Sequence, residues 1–168
     1  MQLITSLLNS AHDRSTFASG NASLDQYIKQ LAKQDMKRKL ANCFVLTGNQ
    51  QEVLGYFTLS SSSIDITNVA EPLKKKLPKY DALPVILLGR LAIDKRLQGQ
   101  GFGKLLVLEA LYRSWQVSKE TIGCYAVIVD PIDDHAARFY ASLGFIRFQH
   151  LGKMFMPMAE IQQLFEGG

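Results

Sequence analysis

A chain of 168 residues, 47% hydrophobic and 20% charged, has the size and composition of one folded domain, which excludes extended disorder and a second comfortable core. No apolar run reaches the roughly 20 residues that span a bilayer, and Asn9, His12, Asp13 and Arg14 close behind the first apolar residues break any secretory pattern, so a cytoplasmic protein with no membrane role is expected. The formal charge of +4 is modest, yet the cations gather in Lys37-Arg38-Lys39, in Lys74-Lys75-Lys76 with Lys79, and in Lys95-Arg96, runs that suit either a solvated face or an anionic partner such as nucleic acid.

Along the chain, Ser23 is placed to cap a helix starting at Leu24, with Leu24, Ile28, Leu31, Ala32 and Met36 as its apolar stripe and Lys29, Lys33 and Lys37 as a basic one. Residues 42–47 and 52–60 are β-rich, and Gly48-Asn49-Gln50-Gln51 between them signals a hairpin. Ser60 to Ser63 reads as a strand end, and residues 68–83, with Pro72, Pro78 and the lysines, as a long connection. Residues 85–94 form the next strand. After a Gly-rich turn, residues 103–118 form a helix that turns Leu105, Leu106, Leu108, Leu111 and Trp115 toward the sheet.

A strand over 121–129, a helix over 133–143 stopped by Gly144, and late strands at 145–148 and 154–156 complete the pattern, with Met154 and Met158 as core filling. Cys43 and Cys124 each lie in an apolar, strand-like segment and read as buried free thiols; His12, His135 and His150 are dispersed, so no metal site is expected. The fold class is α/β (α+β), one domain over 1–168 with a central mixed sheet flanked by helices.

The most informative segment is Gln98-Gly99-Gln100-Gly101-Phe102-Gly103, between a strand and a helix. Glycines there let backbone N–H groups approach an anion, and the following helix adds the positive end of its dipole. A dinucleotide fingerprint would need a third glycine at position 104, which is Lys, and a Walker loop would need Ser or Thr after Lys104, where Leu105 stands. What remains is Gln-x-x-Gly-x-Gly, from Gln98 through Gly101 to Gly103, which resembles the pyrophosphate loop of the GNAT superfamily of N-acetyltransferases. Asp133 to Phe145, a helix with Ala136 and Phe139-Tyr140 ending in Gly144-Phe145, resembles the family's other motif, one strand further on.

The resemblance implies the GNAT fold with splayed central strands and acetyl-CoA as acetyl donor. It implies that Leu91, Ala92 and Ile93 bind pantetheine, that Gln98, Gly99, Gln100, Gly101, Phe102, Gly103 and Lys104 bind the pyrophosphate, and that Tyr140 is the general acid that protonates the departing thiolate. Asp133, where many relatives carry Asn, would contact pantetheine.

The stretches Phe17-x-Ser19-Gly20-Asn21-x-x-Leu24-Asp25, Leu54-Gly55-Tyr56-Phe57-Thr58-Leu59 and Val85-Ile86-Leu87-Leu88-Gly89-Arg90-Leu91-Ala92 are similar to the TacT/AtaT type of acetyltransferase toxins from bacterial toxin–antitoxin pairs. That similarity implies acetylation of the α-amino group of aminoacyl-tRNA, arrest of translation, neutralisation by a ribbon-helix-helix antitoxin, a homodimer, and DNA contact only through the antitoxin complex. Arg90, with Lys37, Arg38 and Lys39, would hold the tRNA.

One feature of the residues themselves suits this class: positions 85–93 contain no Asp or Glu to serve as a base. An α-amine of pKa near 8 is about a quarter neutral at physiological pH, whereas a lysine is neutral about once in a thousand, a difference of about 3 kcal/mol. A small-molecule amine or a protein N-terminus is the alternative acceptor, and a cofactor-holding module without turnover is the third possibility.

Overall fold

The computed structural model describes residues 1–77, 79–148 and 151–166; Pro78 and His150 lie outside the described residues. Seven strands form one sheet in the order β1-β2-β3-β4-β5-β7-β6. Its residues divide between two compact units, 1–60 with 88–110, and 61–87 with 111–168.

The first unit holds β1 (Ser6–Leu7), β2 (Asn42–Thr47) and the larger part of β3 (Val53–Asp65). The expected hairpin is present: β2 pairs antiparallel with β3, Phe44 opposite Phe57, and a bulge falls between Leu46 and Thr47. Strand β1, which the hydrophobic pattern does not announce, pairs antiparallel with β2 through Ser6 and Val45. Phe17, Tyr27, Ile28, Cys43, Val45, Tyr56 and Ala92 form the core here.

The first helical stretch departs from expectation at both its start and its register. Asn21, not Ser23, caps α1 (Ala22–Gln26), because Asn21 is extended and its side chain accepts from Leu24 N at 3.1 Å. A π turn (Tyr27–Leu31) then precedes α2 (Ala32–Lys37). The wider turn resets the 3.6-residue register, so Tyr27, Ile28 and Ala32 are buried together while Leu31 is 40% exposed. Arg14 reaches the π turn, its guanidinium donating to Ile28 O at 3.0 Å and Lys29 O at 3.3 Å.

The second unit is built on β5 (Ala126–Val129), β6 (Ile146–Arg147) and β7 (Met154–Pro157), where β7 pairs antiparallel with both others. Its core joins Ile64, Val69, Leu83, Val85, Ala126, Ile128, Phe148 and Phe155, with Phe148 and Phe155 stacked at 4.4 Å. Within the long connection lies α3 (Glu71–Lys74), with Pro72 at its first turn. The strand expected over 121–129 is confined to β5; residues 121–125 are turn and coil, so Cys124 is half-buried rather than buried, its Sγ 3.2 Å from Ala126 O. A final helix α6 (Met158–Glu166), unforeseen from the sequence, sets Phe165 against Tyr112 and Trp115.

Strand β4 (Ala82–Ile93) and helix α4 (Phe102–Glu120) contribute residues to both units. Leu106, Leu111 and Trp115 of α4 are buried, but Leu105 sits on the flank of the helix at 45% exposure, against expectation. Among the described residues, no helix is long and apolar enough to cross a membrane.

The end of β4 is fixed by Asp94, whose carboxylate is buried. Oδ2 accepts from Ala18 N at 3.0 Å, and Oδ1 accepts from Arg96 N at 2.9 Å and Arg96 Nε at 2.8 Å. The Arg96 hydrogen bonds lead the effects that hold its pKa down at about 2. A depressed carboxylate contributes stability that is complete above its ordinary value near 4 and is lost as pH falls through about 2, about 2 kcal/mol in all. Urea unfolding of Asp94→Asn should therefore show a loss of about 2 kcal/mol at pH 7, with the gap to wild type closing toward pH 2. Equal stability at pH 7 would contradict this role.

Candidate active site

Three elements converge on the Gly-rich turn within the first unit. Arg90, Leu91, Ala92 and Ile93 are consecutive on β4, with Ala92 buried and Leu91 and Ile93 half-buried. Gly55 of β3 lies close beneath them: a Cβ there would meet Ile93 Cδ1 at 3.1 Å and Leu106 Cδ1 at 3.2 Å. After Asp94 a 3-10 turn (Lys95–Leu97) leads to Gln98.

The Gln98 amide nitrogen donates to Ser19 O at 2.7 Å and to Ile93 O at 2.8 Å, which braces the turn between the N-terminal segment and the end of β4. Both its N–H groups are thereby engaged, so what Gln98 offers a bound anion is its backbone. Gly99 and Gly101 have φ of +78° and +85°, the left-handed region that favours glycine. No heavy atom lies within 4 Å of the place a Cβ would occupy at either, so this face of the turn is open. Gln100 closes back on Arg96 O at 3.2 Å.

Helix α4 begins directly behind, its first intrahelical bond running from Leu105 N to Gly101 O at 3.3 Å. The N–H groups of Phe102, Gly103 and Lys104 precede that bond and have no partner within the helix, as at any helix start. Together with the helix dipole they suit an anion, and Lys104 in the same segment is exposed. Of the seven residues singled out from the sequence, Gln98 to Gly101 form the turn and Phe102, Gly103 and Lys104 open α4.

Tyr140 and Asp133 belong to the second unit, on α5 (Asp134–Ser142) and at its cap. Asp133 Oδ1 accepts from Ala136 N at 2.8 Å, so this carboxylate caps the helix. Gly144, at φ +106°, ends it as expected. The Tyr140 ring packs edge-on against Phe139 at 5.2 Å and Phe145 at 5.4 Å, and burial pushes the phenol up to about 12. Such a group keeps its proton at neutral pH, the state needed for a proton donor.

Lys37, Arg38 and Lys39 are exposed at the end of α2, where Gln30, Lys33, Gln34, Lys37 and Arg38 line a shallow surface depression. Lys39 takes the left-handed position after the helix, at φ +64°. Lys75, Lys76 and Lys79 are exposed in the second unit, while Lys74 pairs with Glu71 at 3.9 Å and Arg96 is committed to Asp94. The nearest carboxylate to the end of β4, Asp94, is thereby disqualified as a base.

The motif Phe17 to Asp25 proves to be scaffold. Ser19 N and Oγ both donate to Asp25 Oδ1, at 2.9 and 2.6 Å, Gly20 turns at φ +97°, and Phe17 packs edge-on to Tyr56 at 5.7 Å. Sequence reasoning missed Tyr27 and Thr58, which flank Arg90, and Asp35, which accepts from the Tyr27 hydroxyl: Arg90 N donates to Thr58 Oγ1 at 3.0 Å, and its guanidinium lies 3.8 Å over the Tyr27 ring. Only the adjacency of Tyr27 to Ile28 in the apolar stripe could have hinted at it.

Residues 39–147 match the family described as the acetyltransferase (GNAT) domain. Over 138 residues the chain is 34% identical to the tRNA-acetylating toxin of Mycobacterium tuberculosis, spanning 82% of this chain and 81% of that protein. The solved structure of AtaT complexed with acetyl-methionyl-tRNAfMet is similar with a TM-score of 0.89 at 31% identity, covering 96% of this chain and 98% of the other. A tyrosine-to-phenylalanine mutant of the AtaT toxin, bound to the C-terminus of the antitoxin AtaR and to acetyl-CoA, is similar with a TM-score of 0.82 at 29% identity, covering 96% and 97%.

The double brace by Gln98 has a measurable consequence. Gln98→Glu removes both donors and sets a carboxylate against two carbonyl oxygens, so the variant should lose about 1 to 2 kcal/mol in stability and show faster amide exchange across 98–101. Unchanged exchange in that turn would remove Gln98 from its support.

Proposed function

The chain belongs to the GNAT acetyltransferase family, and from that premise we propose that it transfers an acetyl group from acetyl-CoA to the α-amino group of aminoacyl-tRNA. In this reading it is a toxin that halts translation and is neutralised by a ribbon-helix-helix antitoxin. Support comes from the similar proteins, one a tRNA-acetylating toxin and one a toxin complexed with acetyl-methionyl-tRNA. The observation in this chain that carries the reading is the locked state of Asp94: with residues 85–93 free of carboxylates and Asp94 held ionised by Arg96, β4 offers no base for a lysine.

The residues present fit acetyl-CoA. The open turn at Gly99 and Gly101, with the first N–H groups of α4, suits a pyrophosphate, and the backbone of Leu91, Ala92 and Ile93 suits a pantetheine arm. When bound, acetyl-CoA supplies an activated thioester. The amine would attack the thioester carbonyl, the carbon–sulfur bond would break, and Tyr140 Oη would deliver a proton to the departing sulfur and regain one from solvent. The amine proton passes to water, an undemanding step for a group of pKa near 8. Arg90 and the Lys37 to Lys39 run hold the acceptor's phosphates. A homodimer would join the basic runs of two chains into a surface wide enough for a tRNA, and DNA is reached only through the antitoxin complex.

Tyr140→Phe keeps the packing against Phe139 and Phe145 and deletes the hydroxyl. It should retain acetyl-CoA affinity by calorimetry while turnover falls about a hundredfold or more, the low end for a general acid, and growth arrest should vanish. Wild-type turnover would make Tyr140 structural.

The substrate class is tested by charge. Replacing Lys37, Arg38 and Lys39 together with Glu should raise KM for aminoacyl-tRNA about tenfold or more and flatten its salt dependence, with acetyl-CoA affinity unchanged. A salt-insensitive KM in the wild-type protein would favour a small amine instead.

A further inference from the structure

Arg90 is held from two sides. Its backbone N–H donates to Thr58 Oγ1 at 3.0 Å, and the Cζ of its guanidinium lies over the Tyr27 ring, 3.8 Å from the ring centre. Among the described residues no carboxylate is paired with it. A guanidinium stacked on one face keeps its in-plane N–H donors free, the arrangement that suits a planar grip on a phosphate.

Tyr27 is itself unusually fixed. Its side chain is 2% exposed, its ring stacks on Tyr56 at 6.1 Å, and its hydroxyl donates to Asp35 Oδ2 at 2.9 Å. It opens the π turn, whose carbonyls Ile28 O and Lys29 O are held by Arg14. Without that insertion the register of the helix would part Tyr27 from the inward face that Ile28 and Ala32 share. A π turn capped by an arginine therefore aims an aromatic ring, and the ring aims a second arginine.

On this basis we propose that Tyr27 is a positioning residue: with Asp35 and the Arg14-capped π turn, it holds the Arg90 guanidinium pre-ordered for a phosphate at the acceptor end of the aminoacyl-tRNA. The inference rests on the aminoacyl-tRNA reading above. Pre-ordering lowers the conformational entropy lost when a long side chain is immobilised on binding, so its effect falls on KM for the tRNA rather than on kcat.

The test is a set of steady-state acetylation assays with aminoacyl-tRNA and acetyl-CoA on wild type, Arg90→Ala, Arg90→Lys, Tyr27→Leu and the double variant Tyr27→Leu with Arg90→Ala. Each single substitution should raise KM for the tRNA about three- to tenfold, the gain expected from ordering one long side chain, and the double variant should be no worse than Arg90→Ala alone. Arg90→Lys leaves the core untouched and keeps the charge but cannot lie flat on the ring, so it decides the matter even if Tyr27→Leu folds poorly. A wild-type KM in Arg90→Lys, or additive effects in the double variant, would overturn the positioning role and leave the substrate reading standing. A wild-type KM in Arg90→Ala would overturn the Arg90 contact and this proposal with it. Failure of the wild-type protein to acetylate any aminoacyl-tRNA would overturn both readings.

Discussion

The buried carboxylate of Asp94 sets the geometry on which the candidate site depends. It ends β4, receives the backbone of Ala18 from the N-terminal segment and the side chain of Arg96 from the following turn, and its own N–H donates to Leu54 O of β3 at 2.9 Å. Lys95 N adds a bond to Ala18 O, and Gln98 reaches Ser19 O. The Gly-rich turn therefore departs from a strand end tied to two other parts of the chain. The proposed grip on a pyrophosphate by backbone N–H groups needs such support, because hydrogen-bond direction is lost with small backbone shifts.

The same ion pair shapes the chemistry. A carboxylate held near pKa 2 accepts no proton from an ammonium at neutral pH, so the end of β4 supplies position and no base. Tyr140 is shifted the opposite way, to about 12, by burial, and so carries a proton at every physiological pH. A β4 end that offers no base suits the proposed acceptor, because the α-amine of an aminoacyl ester arrives substantially neutral. Neither Asp94 nor Tyr140 therefore titrates between pH 5 and 9.

Much of this was legible in the sequence, for identifiable reasons. The loop from Gln98 to Lys104 could be placed because glycine at positive φ, an apolar strand before it and a periodic helix after it are all local signals. Gly144 ended its helix for the same kind of reason. The failures share a different cause. Asn21 displaced Ser23 as cap because the entry angle of the chain is set by the distant Asp94 and by Asp25, not by the cap residue's own propensity. Leu31 was read as buried because a periodic pattern assumes a uniform helix, and the π turn at Tyr27 breaks that assumption. Residues 121–125 looked like strand from their composition but lack a partner strand in the β5–β7 register, which begins at Ala126. Arg90 was singled out for its charge, yet what gives it direction is Tyr27, 63 positions earlier, and no local pattern links the two.

The account stands on the identity of the acetyl acceptor. The most direct measurement incubates the protein with acetyl-CoA and a charged tRNA, digests the product with nuclease, and examines the released aminoacyl-adenosine by mass spectrometry. The account predicts one added acetyl group on the α-nitrogen of the amino acid, formed at a rate that falls as salt is raised. An acetyl group found on lysine side chains or on a free amine, with aminoacyl-adenosine unmodified and no dependence on salt, would contradict it.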